Sequence, residues 1–368
     1  MTRIFLIRHA EAEGNIFRRA HGHFNGQIIG RGYAQIERLK ERFKNERIDA
    51  VYSSNLSRTC LTASAIYVPR RMQLSTVEML REVKMGVWED MPWGDIEHDY
   101  PEMNKLFNAD PANWHVTGSE EFQHVQKRMK ECISDIAGRH DGENVAIFSH
   151  GFAIRAFICG ILGVLSSEIK KVPYFDNTAV TLLKYNGDQI TIEYQGDNSH
   201  LSTEDSTFAN QTWWRSKKER VFENLRIRPL DNERDCLILK SFHDDIGKEY
   251  NDSKVFTAIL TNEAVGLIGL SSGKWKVESG KFISTEFDNE SIGWIDYIYV
   301  RPELRHHNFG VQLLGQAVST FRELRLEKLR IRLLKDNPEI VFFEKFEFNK
   351  IDDVAGFYIL EKNIRNWQ

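Results

Sequence analysis

Apolar residues in the first half of the chain gather into short runs separated by amphipathic stretches. Ile4–Ile7 form an unbroken apolar run, as expected of a parallel strand buried on both faces. Ile36, Leu39 and Phe43 recur at helical spacing within residues 31–47. Residues 48–54 read as a strand, 56–67 as a helix, 143–150 as a second continuous buried strand and 151–162 as a helix. This alternation predicts an α/β fold with a largely parallel sheet. Residues 178–195 break it: two strand-like runs flank Asn186-Gly187-Asp188 and predict a hairpin at the edge of the same sheet.

From about residue 197 the periodicity lapses. Residues 196–211 are polar and non-periodic, a linker or surface loop, and 212–225 read as a helix that packs one domain on another. A strand at 225–230 is followed by a helix starting near Asp231. Residues 256–272 then give two strands around a turn at Asn262-Glu263, and 292–300 a further strand. An amphipathic helix at 309–325 and a strand at 328–335 complete an α+β order with no repeat of the first half. A length of 368 residues suits two cores better than one. The expected organisation is a first domain at 1–197, a linker and packing helix at 198–224, and a second domain at 225–368.

Composition narrows the class. The chain is 41% hydrophobic and 28% charged, with a formal net charge of -4, which gives no electrostatic argument for nucleic acid or an anionic membrane. Cys60, Cys132, Cys159 and Cys236 are scattered without metal-type spacing and read as reduced. The first strand begins almost at once, so no signal peptide is expected. The longest apolar stretch, 153–165, is too short for a bilayer and contains Arg155. The expectation is a cytoplasmic protein with no metal site.

The chemistry sits where the strands end. Ligands of open α/β sheets bind at the carboxyl ends of strands. The first strand runs into Arg8-His9 with Asn15 shortly after. The second runs into Ser-Ser-Asn-Leu-Ser-Arg and brings Arg58 to the first turn of a helix. The third runs into Phe-Ser-His-Gly and brings His150 and Gly151 to a helix N-terminus. Guanidinium groups offer planar paired donors to a phosphoryl group, and helix N-termini add amides and a favourable dipole. A neutral imidazole can attack phosphorus, which makes His9 the candidate nucleophile. A carboxyl kept protonated would serve the leaving group; Glu82, in LREVKMGVWED, is the candidate, with Trp88 and Met85 crowding it.

Taken in order, LIRHAEAEGN, YSSNLSRTCLTASAI, LREVKMGVWED and VAIFSHGFAIRAF resemble the histidine phosphatase superfamily over roughly residues 1–195. The resemblance implies a phosphoglycerate-mutase-like three-layer fold and a metal-independent reaction. His9 would be the phosphorylated nucleophile. Arg8, Arg58 and His150 would hold the phosphoryl group, with Asn15 and Gly151 on the substrate and Glu82 as proton donor. Ala10 stands where the family commonly has glycine, and Asn25 where it commonly has Asp, which leaves the leaving group open. The substrate would be a small phosphorylated metabolite. Trp88, Trp93, Tyr100, Phe107 and Trp114 lie between Gly86 and Gly118 and suggest either an aromatic pocket lid, favouring a phosphatase on a partly apolar ester, or simple packing. A phosphoglycerate-type mutase is the alternative.

YIYVRPELRHHNFGVQLLGQAV and LLKDNPEIVFFEKFEF resemble the GNAT acetyltransferase family over roughly residues 225–362. The resemblance implies an acetyl-CoA site formed by Val300, Arg305, Asn308 and Gly310, with an amine as acceptor. Asn308 replaces the first glycine of the loop, and Asn tolerates the left-handed region. Phe343 replaces the tyrosine that often protonates the thiolate, and Glu347 stands where glycine is usual. Asp296 reads either as a base or as a satisfied strand carboxylate, Tyr297 and Tyr299 offer hydroxyls, and His306-His307 read as a solvated loop. The second domain thus transfers an acyl group, or only binds acyl-CoA, or serves as an oligomerisation module; a homo-oligomer stays open.

Overall fold

The computed structural model describes residues 1–187, 189–211, 224–246, 254–272, 274–278, 281–285 and 292–365. The helix read at 212–225 lies outside the described residues through position 223, as does Asp188 of the hairpin turn. The chain divides into two compact units. One comprises Met1–Asn15, Ala20–Met91 and Ile96–Arg220; the other comprises Ile16–Arg19, Pro92–Asp95 and Val221–Gln368.

The first unit is built on a six-stranded sheet of order β3-β2-β4-β1-β5-β6. Its strands are β1 (Thr2–Arg8), β2 (Ala50–Ser53), β3 (Leu74–Thr76), β4 (Asn144–Ser149), β5 (Val180–Tyr185) and β6 (Ile190–Asp197). β1 to β4 run parallel; β5 and β6 are the expected edge hairpin. β1 and β4 sit in the middle and are covered on both faces, which is why their sequences are apolar without alternation.

The pleat separates the two covering layers. Phe5 and Ile7 point to α2 (Gly30–Phe43) and α3 (Ser57–Arg70), where they share a core with Ile36, Leu39, Phe43, Ala63 and Ile66. The opposite face packs on α6 (Phe122–Gly138) and α7 (Gly151–Leu162). The remaining helices in this part of the chain are α1 (Glu13–Ile16), α4 (Trp93–Asp99), α5 (Pro101–Ala109) and α8 (Thr207–Asn210). Residues 198–211, read from sequence as a linker or surface loop, are tied to this unit: Ser206, Thr207 and Gln211 are buried.

The second unit holds a seven-stranded sheet of order β14-β15-β13-β12-β9-β8-β7 and a separate hairpin, β10 (Lys274–Glu278) with β11 (Lys281–Thr285). Its strands are β7 (Arg226–Pro229), β8 (Lys254–Leu260), β9 (Glu263–Ser272), β12 (Ile292–Val300), β13 (Lys328–Leu334), β14 (Asn349–Val354) and β15 (Phe357–Asn363). Its helices are α9 (Cys236–Ile246), α10 (Phe309–Glu323) and α11 (Ile340–Lys345). The turn between β8 and β9 falls one residue earlier than expected, on Thr261 and Asn262, both at positive φ (47° and 75°). Such a turn matches the twist of the flanking strands. β12 carries a bulge between Ile295 and Tyr297 and pairs in parallel with β13 only from Ile292 to Ile295; beyond that the ladder stops.

Candidate active site

Three neighbouring parallel strands release their chemistry at one end of the sheet. Arg8 pairs with Ser149 across β1 and β4, and Ser53 pairs with Phe148 across β2 and β4. The next residues on each strand are therefore His9, His150 and Ser54. The His9 amide donates to the Ser149 carbonyl at 3.0 Å, and the Ser54 amide to the Phe148 carbonyl at 2.9 Å. The His9 and His150 rings lie 5.3 Å apart between centroids.

Each imidazole is held by a hydrogen bond at one ring nitrogen. His9 Nδ1 lies 2.7 Å from the Ala10 carbonyl, which can only accept, so Nδ1 carries the proton and Nε2 keeps its lone pair. Ser54 Oγ accepts from the Leu56 amide and lies 2.9 Å from His150 Nε2. When the Ser54 hydroxyl donates to Nε2, the His150 proton sits on Nδ1. Both rings are held neutral, their pKa values well below the usual 6.5, chiefly by burial and next by the Arg58 guanidinium.

The guanidinium groups are buried beside them. Arg58 donates to the Phe24 carbonyl at 2.8 Å and the Gly22 carbonyl at 2.7 Å. That loop is itself fixed by Glu89, whose carboxylate accepts from the amides of Gly22, His23, Phe24 and Met85. Burial lowers the Arg58 pKa to about 10, so it remains a cation at neutral pH. Arg8 donates from one terminal nitrogen to the Phe175 carbonyl. Its pKa is lowered by burial and raised by the Asp176 charge. A Cβ on Gly151 would stand 3.2 Å from Arg8 Nε, so the glycine lets the helix start close against the guanidinium. Arg8 Nε and His150 Nδ1 are buried without a hydrogen-bond partner. Orphaned buried donors cost about 1–3 kcal/mol each, and an anionic oxygen would satisfy both.

Glu82 is tied to the start of α7. One carboxylate oxygen accepts from the amides of Val83 (3.0 Å) and Ala153 (2.7 Å), the other from Phe152 (3.0 Å). Burial raises its pKa, against the pull of these amides and of Arg58. Asn15 uses its side-chain oxygen to accept from the Ala12 amide at 3.0 Å and so closes the loop after His9. Asn25 caps α3, accepting from the Ser57 amide and hydroxyl at 2.8 and 2.7 Å. The capping needs only an acceptor oxygen, which Asn supplies as well as Asp.

The aromatic segment divides in two. Trp88 and Trp114 are buried and pack edge-on or tilted with each other, Tyr100 and Phe107, as core rather than open lid. Phe107 also stacks on Phe152 at 4.9 Å and 12°, both rings half-buried, directly beside the amide that binds Glu82.

Several residues of the site carried no local signal. Ser54 orients His150, Glu89 holds the Arg58 loop, and Thr62 Oγ accepts the Ala10 amide at 2.9 Å. Asn177 Nδ2 donates to the His9 carbonyl at 2.8 Å from a position 168 residues away in sequence. Among the described residues no group of three or more His, Cys, Asp or Glu side chains could hold a metal ion.

In the second unit, Arg305 Nε donates to the Val300 carbonyl at 3.1 Å, closing the loop between β12 and α10. His306 and Asn308 take positive φ (64° and 62°), and Asn308 directly precedes α10. Phe343 is fully buried against Phe342 and Phe348. Asp296 accepts from the Ser271 hydroxyl at 2.7 Å, the arrangement of a satisfied strand carboxylate.

Residues 4–198 match the histidine phosphatase superfamily (branch 1), more than half of the chain. The chain belongs to that superfamily. Residues 214–348 match the acetyltransferase (GNAT) family. Phosphoserine phosphatase 1 of Hydrogenobacter thermophilus is 30% identical over 164 residues, covering 45% of this chain and 78% of the relative. Phosphoglycerate mutase-like protein 4 of Arabidopsis thaliana is 29% identical over 202 residues, covering 54% and 86%. The solved structure of Bacillus stearothermophilus YhfR superposes with a TM-score of 0.53 at 28% identity, over 55% of this chain and all of that one. This histidine phosphatase is thus a phosphoric monoester hydrolase fused to a GNAT-type domain. No helix among the described residues is long and apolar enough to cross a membrane.

Proposed function

We propose that the first unit hydrolyses small phosphate monoesters through a phosphohistidine at His9. The observation that carries this is the meeting of an imidazole lone pair with buried, unpartnered nitrogens at the strand ends. His9 presents a lone pair at Nε2, while His150 Nδ1 and Arg8 Nε are both buried without a hydrogen-bond partner. The His9 lone pair attacks phosphorus and the ester oxygen departs with the proton of Glu82. Water then attacks the phosphohistidine, its proton passes to the Glu82 carboxylate, and inorganic phosphate leaves. Arg8 and Arg58 neutralise the phosphoryl oxygens throughout, and neutral His150 hydrogen-bonds to them. The Phe107–Phe152 stack beside Glu82 supports a leaving group with an apolar part.

The test is turnover in EDTA without added metal, against an aryl phosphate and a panel of sugar, amino-acid and nucleotide phosphates. Phosphoserine belongs in the panel because a relative bears its name. EDTA-resistant hydrolysis is expected. A folded protein that turns over none of them, or only with a bisphosphorylated primer, would point to the mutase reading instead.

For the second unit we propose an acyl-CoA site at the loop from Val300 to Gly310. The break in the β12–β13 ladder and the left-handed Asn308 before α10 support it. Phe343 has no proton to give a departing thiolate, so binding is expected to exceed turnover. Calorimetry should detect acetyl-CoA, with little free CoA released on an amine panel. Absence of binding would remove this site.

A further inference from the structure

The family match ends at residue 198, yet the next residues contact the catalytic loops of the same unit. Asp176 is 2% exposed. Its carboxylate accepts from the Ser206 hydroxyl at 2.6 Å and from the Phe208 amide at 3.3 Å. Asp176 is also the largest opposing charge on Arg8. The following two residues hold the nucleophile: Asn177 Nδ2 and the Thr178 amide donate to the His9 carbonyl at 2.8 and 3.4 Å.

Thr178 adopts φ of 57°. A β-branched residue rarely enters the left-handed region, so surrounding contacts must hold it there. His200 provides one. Arg42 can only donate, and it does so to His200 Nδ1 at 3.1 Å. The His200 proton therefore sits on Nε2 and is donated to Thr178 Oγ at 3.0 Å, while that hydroxyl donates to the Asn177 carbonyl at 2.7 Å. The relay runs from Arg42 through His200 and Thr178 to the loop that clamps His9.

We propose that residues 198–211 are a positioning strap for the phosphatase site, acting on His9 through His200 and Thr178 and on Arg8 through Ser206 and Asp176. Neither His200 nor Ser206 touches substrate; both are positioning residues. This rests on the phosphatase reading for its kinetic readout and on geometry for its second one.

The variants are His200→Leu, His200→Gln and Ser206→Ala in the full chain. Glutamine offers one acceptor and one donor and can replace both imidazole bonds; leucine offers neither. His200→Leu and Ser206→Ala are expected to lower kcat on an aryl phosphate about tenfold, the size of one lost positioning bond. KM should change less than twofold, and His200→Gln should recover most of the rate. Vanadate binding by calorimetry needs no turnover; it should weaken severalfold in Ser206→Ala, which loosens the Arg8 counter-charge. Unchanged kcat in folded His200→Leu and Ser206→Ala overturns the proposal, as does a loss that glutamine fails to restore. Should His200→Leu not fold, Ser206→Ala decides by the same criterion. If the wild type turns over nothing, the phosphatase reading has failed, and the strap stands or falls on the vanadate result.

Discussion

His9→Ala is expected to reduce hydrolysis of an aryl phosphate by about 10⁴-fold or more, the order seen when a covalent nucleophile is deleted. Arg8, Arg58 and His150 do not depend on the His9 side chain for their places. Arg58 is held by the Gly22 and Phe24 carbonyls, and His150 by Ser54. The variant should therefore keep its fold and still bind vanadate. Rapid quench of wild type with labelled substrate should trap an acid-labile phosphoenzyme that the variant never forms. The pH profile gives an independent reading. Burial and Arg58 place the His9 pKa well below 6.5, and the nucleophile is the deprotonated form. Activity is therefore retained on crossing pH 6.5 downward and falls only below the lowered pKa. A wild-type acid limb centred near 6.5, or near-normal turnover in His9→Ala, would remove His9 from the role.

The strand exits were readable because each reactive residue directly follows a buried apolar run. Ile4–Ile7 and the apolar residues of β4 must lie side by side in the sheet, which forces His9 and His150 to one edge. Glu82 was readable only through the order of motifs; nothing local distinguishes it from Glu89, which the fold uses as an anchor for four amides. Asn177, Ser206 and His200 sit in polar stretches that look like solvated loop. Their meaning lies in partners 168, 30 and 22 residues away, respectively. The aromatic segment could be read as lid or as packing because burial of Trp88 and Trp114 depends on their contacts with each other, Tyr100 and Phe107, not on spacing. α6 itself has a clear helical period in Phe122, Val125, Met129, Ile133 and Ile136, all buried. β14, by contrast, is an edge strand exposed along nearly its whole length and has no alternation to read.

Glu82→Gln is expected to separate substrates by leaving group. An alkoxide needs a proton as the P–O bond breaks, whereas a nitrophenolate leaves without one. Loss of a general acid typically removes about 10²–10⁴ of rate. That loss should appear on an alkyl phosphate, with a far smaller one on the nitrophenyl ester. Glutamine also places an NH₂ where an oxygen now accepts from a backbone amide of Phe152, Val83 or Ala153. With the NH₂ at the Oε2 position, the orientation that loses fewest bonds, the Phe152 amide is left unpaired, at about 1–3 kcal/mol of stability. Rates must therefore be compared at a temperature where both proteins are folded by circular dichroism. The sign of the pH effect is fixed as well. Burial raises the Glu82 pKa, the acid is the protonated form, and so activity on the alkyl ester declines as pH rises through that raised value. In the variant this alkaline decline should vanish, and the dependence of log kcat on leaving-group pKa should steepen. Equal slowing of both esters with an unchanged slope would show that Glu82 anchors the start of α7 and moves no proton.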